Sequence, residues 1–273
     1  MEKRISESVL LKSVPTEYDV YFDMALTMLE EIVKRNEKGE KTVMIVPVGP
    51  TQQYPILAEM VNRLGVSLKN VHFFNMDEYM PTPEKAIAKD DPMSFYGRMK
   101  REFYDRVRPE LLMPESQRHF PEPGKEQELD ALIESLGGVD LCFGGLGING
   151  HVAFNEPPEE AGVTPDEFAA LGTRILPISR ETRTINAYMN CGADLNAIPE
   201  YCITVGMKEM NMAKKIIMIM PRDWNAGALR KILHGEKTAA VPCSLFQDHP
   251  DATIYTLTDA TKNPIPEIRV YNK

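Results

Sequence analysis

Short apolar, β-branched runs recur along the chain: Val43-Met44-Ile45-Val46, Val71-His72-Phe73-Phe74, Val139 to Phe143, Cys202 to Val205, Lys215 to Met220 and Thr253 to Thr256. Several of the segments between them carry apolar residues at helical spacing. Tyr18 to Arg35 sets Val20, Met24, Met28, Ile32 and Val33 on one face, and Gln53 to Leu64 and Glu126 to Leu136 behave alike. Strands that are apolar on both faces and joined by helical crossovers need cover on both sides. The pattern therefore predicts an α/β fold: a Rossmann-like three-layer sandwich with a mainly parallel sheet, as a single domain over residues 1–273. In such sheets ligands sit beyond the carboxyl ends of the strands. The loops after Val46, Phe74, Phe143, Val205 and Met220 are thus the informative ones. Pro157-Pro158 must break whatever element follows the third of these loops. The small, acidic stretch from Glu159 to Leu171 is expected to form a mobile cover over a site.

Composition narrows the function classes. With 273 residues, 43% hydrophobic and 26% charged, the chain is an ordinary globular one, and no apolar run nears the roughly twenty residues of a spanning helix. The charged start Met1-Glu2-Lys3-Arg4 lacks the apolar core of a secretory signal, so a cytoplasmic location is expected. A net charge of −9 repels nucleic acid and anionic membranes, which leaves a small-molecule substrate as the expected partner. Cys142, Cys191, Cys202 and Cys243 have no paired spacing and read as thiols. No His-Glu-x-x-His run or Cys/His cluster suggests a metal, and no cofactor is expected.

The densest chemistry lies between Gly144 and Pro157. Gly145-Leu146-Gly147-Ile148-Asn149-Gly150 matches the dinucleotide pattern G-x-G-x-x-G after a strand. That pattern also needs a helix opening at once and an acid ending the next strand about twenty residues on. Pro157-Pro158 intervenes, and no strand ends in Asp or Glu near Ala170, so a nicotinamide enzyme is not supported.

The full block, Gly144-Gly145-Leu146-Gly147-x-x-Gly150-His151-Val152-Ala153-Phe154-Asn155-Glu156-Pro157, resembles a signature of the glucosamine-6-phosphate deaminase family. That family converts its amino-sugar phosphate to fructose 6-phosphate and ammonia. Phe74-Asn75-Met76-Asp77-Glu78-Tyr79 resembles its second signature, upstream at the expected distance, and the likeness runs from about Thr42 to Leu257. It implies an isomerase and deaminase, and a homo-oligomer.

Moving a proton between adjacent sugar carbons after ring opening suits a carboxylate, and Asp77 is the candidate. Its alternative role is to cap the next helix or turn. Ring opening suits an imidazole held by a carboxylate, which points to His151 with Glu156. Asn149, two residues before the histidine, completes the catalytic set where the family carries Asp; an amide still accepts a hydrogen bond but brings no charge, so a weaker base is expected at His151.

The substrate-binding candidates are Gly49, Thr51, Gly145, Gly147, Gly150, Arg174 and Arg222. Glycines allow close backbone approach to a ligand. The family's phosphate site is altered, however. Pro50 stands within its amide-donating turn and has no NH to give. Tyr188 and Asn225 occupy the positions of its Arg and Lys. Arg222, Arg174, Arg183 and Lys208 are the cations available to substitute, and an unphosphorylated substrate held through Thr51, Gln52 and Gln53 is the alternative. Two other functions stay open: sugar-lactone hydrolysis of the phosphogluconolactonase type, and sugar sensing by a protein that has lost catalysis.

Overall fold

The computed structural model describes residues 2–4 and 9–262. Its strands are β1 (Glu2–Arg4), β2 (Val9–Val14), β3 (Thr42–Val46), β4 (Val71–Asn75), β5 (Asp77–Met80), β6 (Arg118–His119), β7 (Val139–Gly145), β8 (Arg174–Pro177), β9 (Tyr201–Thr204), β10 (Ala213–Met220) and β11 (Ala252–Leu257). Its helices are α1 (Glu17–Glu37), α2 (Gln53–Leu64), α3 (Phe95–Met99), α4 (Glu128–Ser135), α5 (Pro165–Ala169), α6 (Arg180–Asn190), α7 (Met207–Asn211) and α8 (Ala226–His234). The expected single domain over 1–273 also takes in residues 1, 5–8 and 263–273, which lie outside the described residues.

Eight strands form one sheet in the order β1-β2-β11-β10-β7-β3-β4-β6. Every pairing in it is parallel except β1 with β2. The side-chain period of two divides each central strand between two cores. Met44, Val46, Phe73, Phe143, Ile217 and Ile219 face α1 and α2. Val43, Ile45, Phe74, Cys142, Ile216 and Met218 face α4, α7 and α8. Runs such as Ile216 to Met220 are buried on both sides, which is why they are apolar without interruption. The expected three-layer sandwich is what the chain forms. Among the described residues no helix is long and apolar enough to cross a membrane. The four cysteines are free thiols, three of them buried.

One strand is placed differently from expectation. Cys202 to Val205 reads like the other buried strands, but β9 joins β5 and β8 in a separate antiparallel sheet of order β5-β9-β8. Both faces of β9 are covered, and burial alone does not say which sheet does the covering. The chain passes from one sheet to the other at Met76, whose NH donates to Val46 O (3.0 Å) and whose carbonyl accepts from Val205 NH (2.7 Å). Asp77 is therefore the first residue of a new strand, at the seam between the sheets, rather than the last residue of β4.

The stretch from Glu159 to Leu171 is also not the cover it was expected to be. Thr164 and Glu167 form a capping box on α5, and Phe168 is buried in the core on the α4, α7 and α8 side. None of this stretch lines the main cavity, whose wall is formed instead by Ile185, Asn186, Met189 and Asn190 of α6.

Candidate active site

The main cavity lies past the carboxyl ends of β3, β4, β7 and β10. Gly49, Pro50, Thr51 and Gln52 line it after β3, Asp77 and Tyr79 after β4, Gly145, Leu146, Gly147 and His151 after β7, and Arg222, Trp224 and Asn225 after β10. Two glycines allow these loops to meet. A Cβ on Gly145 would lie 2.6 Å from Gly49 O, so the end of β7 packs against the turn after β3 only without a side chain. A Cβ on Gly147 would fall 2.0–2.4 Å from three atoms of the His151 ring, so the imidazole lies directly on the Gly147 backbone.

The loop from Gly147 to Glu156 is tied back on itself. Gly147 NH donates to His151 O (3.0 Å), Gly150 NH to Gly147 O (3.1 Å) and Cys243 NH to Gly150 O (2.9 Å). Asn155 Nδ2 donates to Val205 O (2.9 Å) and its Oδ1 accepts from Arg174 (2.7 Å).

His151 is held through Nδ1. Asn149 Nδ2 donates to Glu156 Oε2 (2.7 Å), which leaves Asn149 Oδ1 to accept from the His151 backbone NH (3.1 Å) and to face Nδ1 at 2.8 Å. An amide oxygen is only an acceptor, so Nδ1 carries the proton and Nε2 keeps a free lone pair. Thr182 Oγ1, near the start of α6, lies 3.1 Å from the same nitrogen. The Glu156 carboxylate stands 3.4 Å from Nδ1. Burial alone would raise the Glu156 pKa, but hydrogen bonds to His151, Thr182 and Asn149, with the attraction of His151, hold it down at about 2. Asn149 thus brings no charge of its own, while Glu156 places one beside the ring both directly and through the amide.

Asp77 has the opposite environment. It is buried, and no hydrogen bond among the described residues holds its carboxylate. Burial, with repulsion from Glu78, pushes its pKa up to about 8. The capping role considered for Asp77 belongs to its neighbour: Glu78 accepts from the NH of Phe95 and Tyr96 and from Ser94 Oγ, each at 2.9 Å, and so fixes the start of α3.

Asp77, His151 and Arg222 of the expected set meet at the cavity, joined by an unforeseen Arg98. Tyr79, two residues past Asp77 in the same signature block, was not singled out, nor were Thr182 and Asn186, which only folding brings to the site on α6. Tyr79 OH accepts from Asn186 Nδ2 (3.2 Å), and its ring packs on Phe95 and Phe154 with centroids 4.6 and 5.7 Å away.

Several expected ligands are directed elsewhere. Arg174 lies outside the cavity lining, its Nη1 donating to Asn155 Oδ1 and Gly172 O within the protein. Gly150 faces Val241 behind the loop, and its positive φ of 90° serves the turn. Arg183 pairs with Glu200, Lys208 with Asp130, and Gln53 donates to Pro50 O (2.7 Å) from a buried position. Tyr188 is 72% exposed and does not line the cavity. Asn225 does, but Nδ2 donates to Leu146 O (3.0 Å) and Oδ1 accepts from Arg222 NH (3.2 Å), so its amide is already used.

Comparison with known proteins agrees with this architecture. No protein-family model matches the chain. A glucosamine-6-phosphate deaminase of Cronobacter sakazakii is 33% identical over 221 residues, 78% of this chain and 76% of the relative. Another, of Thermoanaerobacter pseudethanolicus, is 28% identical over 242 residues, 86% and 88% of the two chains. Among solved structures, a monomeric glucosamine-6-phosphate deaminase aligns with a TM-score of 0.79 at 22% identity, covering 92% of this chain and 98% of the other. The 6-phosphogluconolactonase of Thermotoga maritima reaches 0.62 at 14% identity, covering 92% and 99%. At such identities the structures speak for the fold, and the curated relatives speak for the family. This chain belongs, as a divergent member, to the glucosamine-6-phosphate deaminase family.

Proposed function

We propose that the cavity opens and isomerises an amino sugar, with or without a phosphate, and releases ammonia and the corresponding ketose. The observation that carries this reading is the presence on one cavity of an unbonded buried carboxylate, Asp77, and an imidazole, His151, held through Nδ1 with Nε2 free. In the first stage His151 Nε2 takes the proton of the C1 hydroxyl and returns it to the ring oxygen as the C1–O5 bond breaks. Glu156 supplies the countercharge while the proton is held.

Asp77 then removes the C2 proton of the open aldosamine and delivers it to C1, while the C1 carbonyl oxygen takes up a proton given up by the C2 ammonium group. The resulting imine at C2 adds water and loses ammonia, leaving the ketone. A carboxyl with a pKa of about 8 is mostly protonated at neutral pH. The substrate's own ammonium group at C2 provides the positive charge that brings that pKa down where the base is needed. Metal ions have no part in this scheme. A homo-oligomeric state goes with this reading on the family resemblance alone.

The test is ammonia release from phosphorylated and unphosphorylated hexosamines, with turnover expected on at least one. The second reading, sugar-lactone hydrolysis, draws on the shared fold with phosphogluconolactonases. Lactone turnover without ammonia from any hexosamine would put it first.

A further inference from the structure

Two arginines, Arg98 and Arg222, line the cavity wall, and they differ in what they already hold. Arg222 is paired with Glu17, beside the buried hydroxyl of Tyr21. Its charge is largely answered before a ligand arrives. Arg98 has no carboxylate within ion-pair distance among the described residues, and only the Phe95 ring lies beneath its guanidinium, at 5.9 Å. The turn after β3 offers little to an anion: Pro50 has no NH, and Thr51 NH is directed to Gln52 Oε1 (3.1 Å). Asn225 is spent, as described above.

Arg98 is also placed with some precision. Glu78, the residue after Asp77, holds the first amides of α3, and Arg98 lies one turn further along that helix. Gly97 lets the helix press against the preceding loop, since a Cβ there would lie 2.7 Å from Lys89 O. The cation is thereby fixed relative to Asp77 by a single buried carboxylate rather than by a long surface side chain. The Tyr79 hydroxyl and the Asn186 and Asn190 side chains line the same cavity with it.

We propose that Arg98 is the binding residue for a terminal oxyanion of the substrate, a phosphate or a carboxylate remote from the reacting carbons. This rests on the reading of the cavity as an amino-sugar site. A planar guanidinium with unused donors matches either anion by two parallel hydrogen bonds. Arg222, bound to Glu17, has the lesser role.

Calorimetric titration separates this from the catalytic reading, because it needs no turnover. Glucosamine, glucosamine 6-phosphate and 2-amino-2-deoxyglucuronate are titrated into the wild type, Arg98→Met, Arg98→Lys and Arg222→Met. The wild type is expected to prefer one of the two anionic sugars over glucosamine by roughly 10- to 100-fold, the span of a charge-assisted contact. That preference falls to near unity in Arg98→Met, is partly kept in Arg98→Lys and survives in Arg222→Met. Whichever anionic sugar shows it identifies the group. A wild type with no preference, a preference intact in Arg98→Met, or one lost only in Arg222→Met overturns the proposal. If the Arg98-dependent preference appears while no hexosamine yields ammonia, the isomerase reading fails and the anion site stands.

Discussion

The two chemistries of the cavity are built differently. Around His151 every polar atom that orients the ring comes from the same loop or from α6, and the whole group is packed tightly enough that Gly147 has no room for a methyl. Around Arg98 the donors are unspent, and the Phe95 ring is what lies beneath the guanidinium. The first arrangement is set before substrate arrives, as proton transfer requires. The second waits for an ion. Glu78 joins them, since one residue away from the proposed base it anchors the helix that carries the cation.

The largest effect that sharpens this contrast is expected from Asp77→Asn. It removes the proposed base, so kcat should fall by roughly 10²- to 10⁴-fold. The same substitution should stabilise the fold. A buried carboxyl whose pKa rises from 3.8 to about 8 contributes most below its unfolded value, and that stability is lost as the pH climbs toward 8. The amide escapes this loss, so urea unfolding at pH 8 should show a gain of ~1–3 kcal/mol over wild type that vanishes near pH 4. An unchanged kcat would remove Asp77 from the mechanism. In the wild type, kcat/KM should decline as the pH drops below about 8.

Next is Gly147→Ala, which probes the packing rather than the chemistry. The added methyl displaces the His151 ring, and kcat should drop on the order of 10²-fold while the affinity for an anionic sugar changes far less. Equal losses at both ends of the cavity would mean that the two are not separately built.

The smallest effect is expected from Asn149→Asp, which restores the residue carried by the family that the chain resembles. Here Asn149 Nδ2 faces Glu156 Oε2 at 2.7 Å, and an aspartate would set two carboxylates against each other. Stability should fall by ~1–3 kcal/mol at pH 8, and by less at pH 5 where one acid takes up a proton. Urea unfolding at the two pH values measures the difference. A variant as stable as wild type at pH 8 would show that the amide's donor is not needed.

Much of this site is legible along the chain because the pieces are local. Asn149, His151 and Glu156 fall within eight residues, and Asp77 is flagged by its own signature. The amide at 149 suggested a weakened pair, yet the geometry shows a direct carboxylate approach at 3.4 Å that residue types alone do not reveal. Arg174 illustrates the converse. An arginine in a functional region reads as a ligand, but Arg174 lies outside the cavity lining and its Nη1 donates to Asn155 and Gly172 within the protein. Arg98 lies in a segment without chemical signature, and it matters only because α3 is folded against the end of β5.

The amino-acid order by itself determined the alternation of strand and helix and the two cores, since periodicity of two or 3.6 states which faces must leave water. Only the tertiary structure decided which sheet takes Cys202 to Thr204, which acid caps α3 and which arginine faces the cavity. Burial is a property of one element, whereas partnership depends on residues tens of positions away in the chain. Local pattern records the first and leaves the second to folding.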